Sequence, residues 1–361
     1  MIKIATVFTW IWSVEHALKR LWLNHEIVFA CDTDKYCKET YIANFWDVKW
    51  YDDISSIDWS KYKWKIDIIV WWSPCQSFSM VWKRKWLWDD RWNLIFSYIN
   101  FIKKSQPSIF IFENVKWLTT HEWGETRKHV LEEFSKLWYN FDWKILNARD
   151  YWIPQNRERV FLVWFKDKKM FKKFNFPEKV ELDITVQDLL EDNPDSKYYL
   201  WEKWINFVTS EKNIKKRYTQ IDWKIALCQK ANQQFNWHWD FITQTMSKNI
   251  EEKYFLSDKV KRYVLSSGTK SFSTKPVTDL DVARPLLSTM AKMHRAWVDN
   301  YFTRWDRLRK LTPRECLRLM WFSDDFKIVV SDTQSYKQAW NSIVSNIFIH
   351  LLPKIFDEPN N

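Results

Sequence analysis

The sequence predicts an α/β protein built on a doubly wound, mainly parallel sheet, and three observations predict it. Short runs of β-branched and apolar residues alternate with amphipathic helical segments through the first third of the chain, the pattern of strands joined by helical crossovers. The polar motifs of that region all stand just after an apolar run, at the carboxyl ends of strands, where such sheets bind ligands. A polar stretch without steady period then precedes a regular C-terminal segment, which reads as a smaller second domain.

The elements follow in order. Residues 3–8 form a strand, and 13–22 a helix with Val14, Ala17, Leu18 and Leu21 at helical spacing. Residues 26–30 form the next strand, 34–44 a helix, and 66–70 a buried strand. A helix around 93–104 leads to a strand at 108–112. From the basic run Lys168–Lys173 to about residue 305 the chain is polar and rich in Asn and Lys. In Leu311-Thr312-Pro313-Arg314-Glu315, Thr312 is placed to cap a helix, Pro313 suits its first position and Glu315 completes a capping box. A last helix is expected at about 335–351. The expected domains are 1–167, 168–305 and a closing segment at 306–361 that completes the first.

The bulk properties narrow the function. With 28% charged and 46% apolar residues the 361-residue chain has a globular composition, and its net charge of +11 suits a polyanionic partner. No apolar run approaches the roughly 18 residues of a membrane span, and residues 1–8 read as a strand rather than a signal peptide. Five cysteines without a CxxC pair point to a reducing cytoplasm, with neither a disulfide framework nor a metal site.

One ratio is abnormal: there are 28 Trp and 2 Gly, where an average chain of this size would hold about 25 Gly. Trp10, Trp12, Trp71 and Trp72 stand in turns or strand ends where only glycine makes steric sense. The composition predicts a gene in which UGA specifies glycine, rendered here as tryptophan.

Four motifs carry chemistry. The turn Phe8-Thr9-Trp10-Ile11-Trp12-Ser13 lies between the first strand and helix; with Gly at 10 and 12 its backbone could approach a nucleotide-like ligand. Asp32, at the end of the second strand, stands where an acid takes ribose hydroxyls. Trp72-Ser73-Pro74-Cys75-Gln76-Ser77-Phe78-Ser79 puts a thiol at a strand's carboxyl end, followed by a basic loop with Lys83, Arg84, Lys85 and Arg91. Thiolate is the attacking form, and a nearby cation favours it. Glu113-Asn114-Val115 ends another strand with a carboxylate able to move a proton. Gln155-Asn156-Arg157-Glu158-Arg159 precedes a further strand, with Arg159 placed to hold a carbonyl oxygen or phosphate.

Together these residues resemble the DNA (cytosine-5) methyltransferase family of the bacterial restriction-modification type. The set S-P-C-Q-S-F-S, D-D-R-x-N-L-I-F, F-E-N-V and Q-N-R-E-R comes in the family's order. It is completed by R-K-L-T-P-R-E-C-L-R-L-M-x-F and by Asn341-Ser342 in the closing G-N-S element. The matching segments, about 1–165 and 308–350, cover three-fifths of the chain, and the departures are nearly all Trp at the family's Gly positions.

The resemblance implies a Rossmann-like S-adenosylmethionine-dependent methyltransferase domain with a smaller inserted target-recognition domain. S-adenosyl-L-methionine would lie over Phe8, Trp10, Ile11 and Trp12, with Asp32 at the ribose and Thr33 beside it. Asp53 and Ile54 would stand near the adenine, while Pro74, Leu94, Asn341 and Ser342 line the site. The catalytic set would be Cys75, Glu113, Arg157 and Arg159, acting on a cytosine flipped from double-stranded DNA. A monomer is implied, with a cognate restriction endonuclease as a further partner. Two other functions are compatible with parts of the sequence. A transfer RNA cytosine-5 methyltransferase is disfavoured by the long stretch at 168–305 and by the lack of a Cys-Phe-Thr triplet. A catalytically silent DNA-binding protein would have little need for Cys75, Glu113 and Arg159 together.

Overall fold

The computed structural model describes residues 1–11, 13–45, 48–72, 90–116, 119, 125–192, 194 and 307–356, with 205–206, 209–210, 220–221, 240–243, 281–283 and 301–304 between them. The described chain divides into two compact units, one comprising Met1–Leu146, Glu158–Glu178 and Ile347–Asn361, the other Asn147–Arg157 and Lys179–Asn346.

The first unit holds a seven-stranded sheet. Its strands are β1 (Ile2–Val7), β2 (His25–Cys31), β3 (Trp50–Tyr51), β4 (Ile68–Trp72), β5 (Ile109–Val115), β6 (Asn140–Asn147) and β7 (Glu158–Phe165), in the order β3-β2-β1-β4-β5-β7-β6. Strands β3, β2, β1, β4 and β5 are parallel neighbours, and β7 pairs antiparallel with β5. Chain order reverses between β1 and β4, which makes their carboxyl ends the switch point at which such sheets take ligands. Helices α1 (Ser13–Arg20), α2 (Lys35–Phe45), α3 (Asp90–Ser105) and α4 (Glu125–Ser135) connect the strands.

Both faces of this sheet are dry. On one face Ala5, Val7, Phe29, Ile69, Trp71, Phe110, Phe112, Val160, Leu162 and Trp164 pack with Tyr98, Phe101 and Ile102 of α3 and Phe134 of α4. On the other, Ile4, Ile68, Val70, Ile109, Ile111, Phe161 and Val163 are equally buried. Phe348, on the last helix, packs there against Trp72 and Phe161. Burial on both faces is what continuous apolar strands signal, in contrast to the alternation of a half-wet sheet. A short helix α5 (Lys168–Lys173) stays with this unit, since Phe165 meets Phe171 and Phe174 at ring distances of 6.1 and 4.9 Å. The composition shift at residue 168 therefore precedes the structural boundary.

In the second unit β8 (Gln220–Ile221), β9 (Asp240–Thr243), β10 (Tyr301–Arg304) and β11 (Arg307–Lys310) form a four-stranded sheet in the order β11-β10-β9-β8. Helix α6 (Pro313–Leu319) begins with the expected capping box: Thr312 Oγ1 accepts from the Glu315 N–H at 3.2 Å, and Glu315 Oε2 accepts from the Thr312 N–H at 2.8 Å. The single helix expected at 335–351 is two, α7 (Asp332–Asn341) and α8 (Ser345–Phe356). The break lies at Ser342, which is extended (φ −69°, ψ 158°) and whose carbonyl is taken by a side chain instead of the next helical turn.

Thr312→Ala leaves the first turn of α6 without its side-chain acceptor. It is expected to lower stability by about 1–2 kcal/mol, read as a lower urea midpoint at unchanged slope, whereas Thr312→Ser should retain most of it.

Candidate active site

Three neighbouring strand ends build one polar edge in the first unit. After β1 the chain turns through Phe8 and Trp10, both with positive φ (56° and 45°). Thr9 welds this turn to the end of β2: its N–H and hydroxyl donate to the Cys31 carbonyl at 3.2 and 3.1 Å, and its hydroxyl accepts from the Cys31 N–H at 3.2 Å. The Asp32 carboxylate, only 5% exposed, accepts from the Trp10 N–H at 3.1 Å and the Asp34 N–H at 2.8 Å. Thr33 beside it is exposed. Past β3, Asp53 caps a short 3-10 helix (Ile54–Ser56) by accepting from the Ser55 N–H at 2.8 Å, and Ile54 is buried behind it. Ile11 is fully buried and seats the loop on the core.

Beneath the loop lies a buried acid. Glu15, in the first turn of α1, has no exposed surface, and its Oε1 accepts from the Thr6 hydroxyl at 2.9 Å. Burial pushes its carboxyl from 4.5 up to about 7, against the smaller opposing effects of its own backbone and the Thr6 hydroxyl.

The second group lies one strand further along. Glu113 on β5 pairs across the ladder with Trp72, the last residue of β4 and three positions before Cys75. Its Oε1 lies 3.2 Å from Arg159 Nε on β7, with 8% and 12% of the two side chains exposed. Lys116 and Glu158 form a more open pair at 2.9 Å beside it. Among the described cysteines, Cys31, Cys37 and Cys316 are buried. Burial, with Asp32 and then Asp53 and Asp52 nearby, pushes the Cys31 thiol up to about 12. A thiol held there is a poor nucleophile near neutral pH. Trp12, Pro74 and Cys75 lie outside the described residues, and Leu94 falls on α3 where only the backbone is described.

In the second unit the Gln155–Arg157 segment acts as a clasp on helix ends. Gln155 Nε2 donates to the Leu319 carbonyl at 3.0 Å, at the end of α6. Arg157, 3% exposed, donates through Nη2 to the carbonyls of Trp340 and Ser342, both at 2.8 Å. Those carbonyls close α7, where orphan acceptors and the helix dipole both favour a cation. Arg157 thereby ties down the Asn341–Ser342 turn. Ser342 is buried and its hydroxyl is spent on the Ile343 carbonyl at 3.1 Å, while Asn341 is partly open.

With this geometry in place, comparison with known proteins decides the family. The profile described as C-5 cytosine-specific DNA methylase matches residues 2–357. The chain belongs to the C-5 cytosine-specific DNA methylases. Orphan methyltransferase M.SPRI of Bacillus phage SPR is 28% identical to it over 99% of this chain and 97% of its own. Type II methyltransferase M.HhaI of Haemophilus parahaemolyticus is 31% identical, with 90% and 86% covered. The crystal structure of a Spodoptera frugiperda DNMT2 mutant shares the fold, with a TM-score of 0.67 at 16% identity over 99% of this chain and 100% of that one. This DNA methylase is thus an enzyme that modifies carbon 5 of cytosine, on a Rossmann-like sheet of the methyltransferase kind. Among its described residues no helix is long and apolar enough to cross a membrane.

Sequence reasoning missed Glu15 and Thr9. A glutamate beside Val14 in the buried face of α1 was the available signal, because an acid in that register must either be neutral or find a partner. Raised above its unfolded value, the Glu15 carboxyl holds its proton more tightly in the folded enzyme. The penalty for ionising it is therefore absent below about pH 4.5, grows as pH rises to about 7 and is constant beyond. Glu15→Gln should gain stability on the parent across that window, by on the order of 3 kcal/mol, in urea unfolding on either side of it. A difference independent of pH would refute the assignment.

Proposed function

We propose that this DNA methylase transfers a methyl group from S-adenosyl-L-methionine to a flipped-out cytosine, in a specific double-stranded site, through a covalent Cys75 adduct. The observation that carries the reading is the shielded Glu113–Arg159 pair one ladder position from the strand that runs into Cys75. A carboxylate and a guanidinium held 3.2 Å apart suit a base that presents an acceptor carbonyl next to a ring nitrogen.

The residues at the β1–β3 edge fit the proposed donor. Asp32 is fixed by two backbone N–H groups and stands at the second strand's end, where a ribose is bound in dinucleotide folds. Phe8, Trp10, Ile11, Trp12, Asp32, Thr33, Asp53, Ile54, Pro74, Leu94, Asn341 and Ser342 would hold it. When bound, it supplies the electrophilic methyl group for carbon 5.

The chain's own residues make carbon 5 reactive. Carbon 5 of cytosine is a weak nucleophile until carbon 6 bears an adduct. The Cys75 thiolate forms a bond to carbon 6, and the ring π electrons move toward carbon 5. Glu113 holds the proton at ring nitrogen 3, and Arg159 donates to the carbonyl oxygen. Removal of the carbon 5 proton to a base returns its electron pair to the ring and expels the Cys75 thiolate. Arg157 holds the Asn341–Ser342 turn. Residues 168–305 read the base edges that define the site, and phosphate contacts position the duplex. The reading is of a monomer working in the cytoplasm, with a restriction endonuclease of the same site as its partner.

A duplex with 5-fluorocytosine at the target position should trap the enzyme, because fluorine cannot leave as the proton does. A stable protein–DNA adduct should form only with S-adenosyl-L-methionine present, and the linked peptide should contain Cys75. Cys75→Ser should form no adduct and lose turnover, since a hydroxyl is far less ionised than a thiol. Cross-linking through Cys31, Cys37, Cys228 or Cys316 would sink the mechanism.

Exchanging residues 168–305 for the corresponding segment of a relative of known specificity should transfer that relative's methylated site, mapped by bisulfite sequencing. An unchanged site would show that specificity resides elsewhere in the chain.

A further inference from the structure

We infer that the functional enzyme carries glycine at Trp10, Trp22, Trp64, Trp138, Trp152 and Trp321. Each has a positive φ, between 45° and 64°. That left-handed region crowds any Cβ against the backbone, and glycine alone enters it freely. Among the described residues the only other non-glycine positions of this kind are Phe8 and Gln106.

Two of the six sit in complete helix-ending motifs. After α1, the Trp22 N–H donates to the Lys19 carbonyl at 3.1 Å and the Leu23 N–H to the Leu18 carbonyl at 3.1 Å. After α6, the Trp321 N–H donates to the Arg318 carbonyl at 2.8 Å and the Phe322 N–H to the Leu317 carbonyl at 2.9 Å. Both are the paired six-to-one and five-to-two bonds of a Schellman end, and both put Trp where the motif takes glycine. Trp138 follows α4 and donates to the Ser135 carbonyl at 3.3 Å. Trp152 sits inside the turn closed by the Ile153 N–H on the Ala148 carbonyl at 3.3 Å. Trp64 donates to the Ser105 carbonyl at 2.8 Å.

At three of the six, burial does not explain the indole, whereas Trp152 and Trp321 meet edge to face at 5.0 Å. Trp22, Trp64 and Trp138 are 93%, 70% and 91% exposed, so no burial offsets their backbone conformation. A surface for stacking DNA bases would choose its aromatic positions by direction, whereas these are chosen by helix ends. Independently, Trp71, Trp72 and Trp164 lie buried in strands with indole N–H groups that find no acceptor among the described residues, an uncompensated desolvation. One cause covers all of these and the ratio of 28 Trp to 2 Gly: the UGA codon specifies glycine in the organism that encodes the enzyme. At Trp10 the consequence falls on the proposed cofactor loop and so rests on that reading. There glycine removes a side chain from a backbone whose N–H already reaches Asp32 at 3.1 Å. The other five positions stand without it.

Peptide mass spectrometry of the enzyme purified from its own organism, with the gene's nucleotide sequence, decides the matter without any activity being measured. Glycine residue masses and UGA codons are expected at all six positions; a tryptophan mass or a UGG codon at any of them overturns the assignment there, and at Trp22, Trp138 and Trp321 together overturns the idea. As a physical check, Trp22→Gly and Trp138→Gly in the chain as written should each raise the thermal midpoint by about 2 °C or more. Trp22→Ala and Trp138→Ala, which lose the indole but keep a Cβ, should not. Equal effects of Gly and Ala would mean that the indole, and not the backbone, is the misfit.

Discussion

The parallel ladder from β2 through β1 and β4 to β5 sets Cys31 opposite Val7, Val7 opposite Trp71 and Trp71 opposite Phe112, and the polar edge hangs on that register. It brings the loop after β1 beside Asp32 and places Glu113 next to the strand that feeds Cys75. The antiparallel pairing of β5 with β7 adds Arg159 opposite Val115, diagonal to Glu113 and on the same face. A slip of one residue would turn either charge to the other face. Burial of apolar side chains on both faces makes the register costly to change, because every strand has two sets of contacts to lose.

Against that dry sheet the polar groups divide into two kinds. In the second unit Gln155 Nε2 and Arg157 Nη2 donate to carbonyls at the ends of α6 and α7, so the fold itself uses those two groups. At the edge of the first unit, Glu15 Oε2 and Asn114 Nδ2 are buried and find no partner among the described residues. The Glu113–Arg159 pair is likewise costly to desolvate and weak as a source of stability. Groups that a fold buries without satisfying mark places where something other than stability sets the residue. Arg157 turns to helix-end carbonyls, whereas Glu113 and Arg159 meet each other on the sheet, where the proposed chemistry uses them.

The strands β1, β2, β4 and β5 were legible because each is a continuous apolar run, and the start of α6 because Thr312, Pro313 and Glu315 each signal it separately. Two strands of the seven-stranded sheet were not. β3 is two residues long, too short for any period, and β6 is an edge strand whose half-buried positions do not alternate cleanly. The break between α7 and α8 escaped for another reason: the cation that takes the Ser342 carbonyl comes from Arg157, far away in sequence. Of the proposed site, Asp32, Glu113 and Arg159 are signalled by their place at strand ends. Thr9 is not, because what makes it notable is its bonding to Cys31 on the next strand; Glu15 is signalled only by its register beside Val14 on the buried face of α1.

Tryptophan in a strand and tryptophan in a turn are different tests of a sequence. Trp71 packs on Tyr98 at 4.0 Å and Trp164 on Phe110 at 4.5 Å, so the sheet accommodates the volume of large rings even where the indole N–H finds no acceptor among the described residues. Side-chain packing adapts to volume by shifting neighbours and rotamers. A backbone at positive φ has no such freedom, since the clash is between a residue's own Cβ and the peptide that follows it. Turns and helix ends therefore report what a position requires, whatever letter is written there, while strands report what a position can tolerate. Trp10 meets both demands at once, a left-handed turn and a place on the strand-end edge proposed for the cofactor. At that residue the steric requirement of the fold and the access requirement of the chemistry point to the same absence of a side chain.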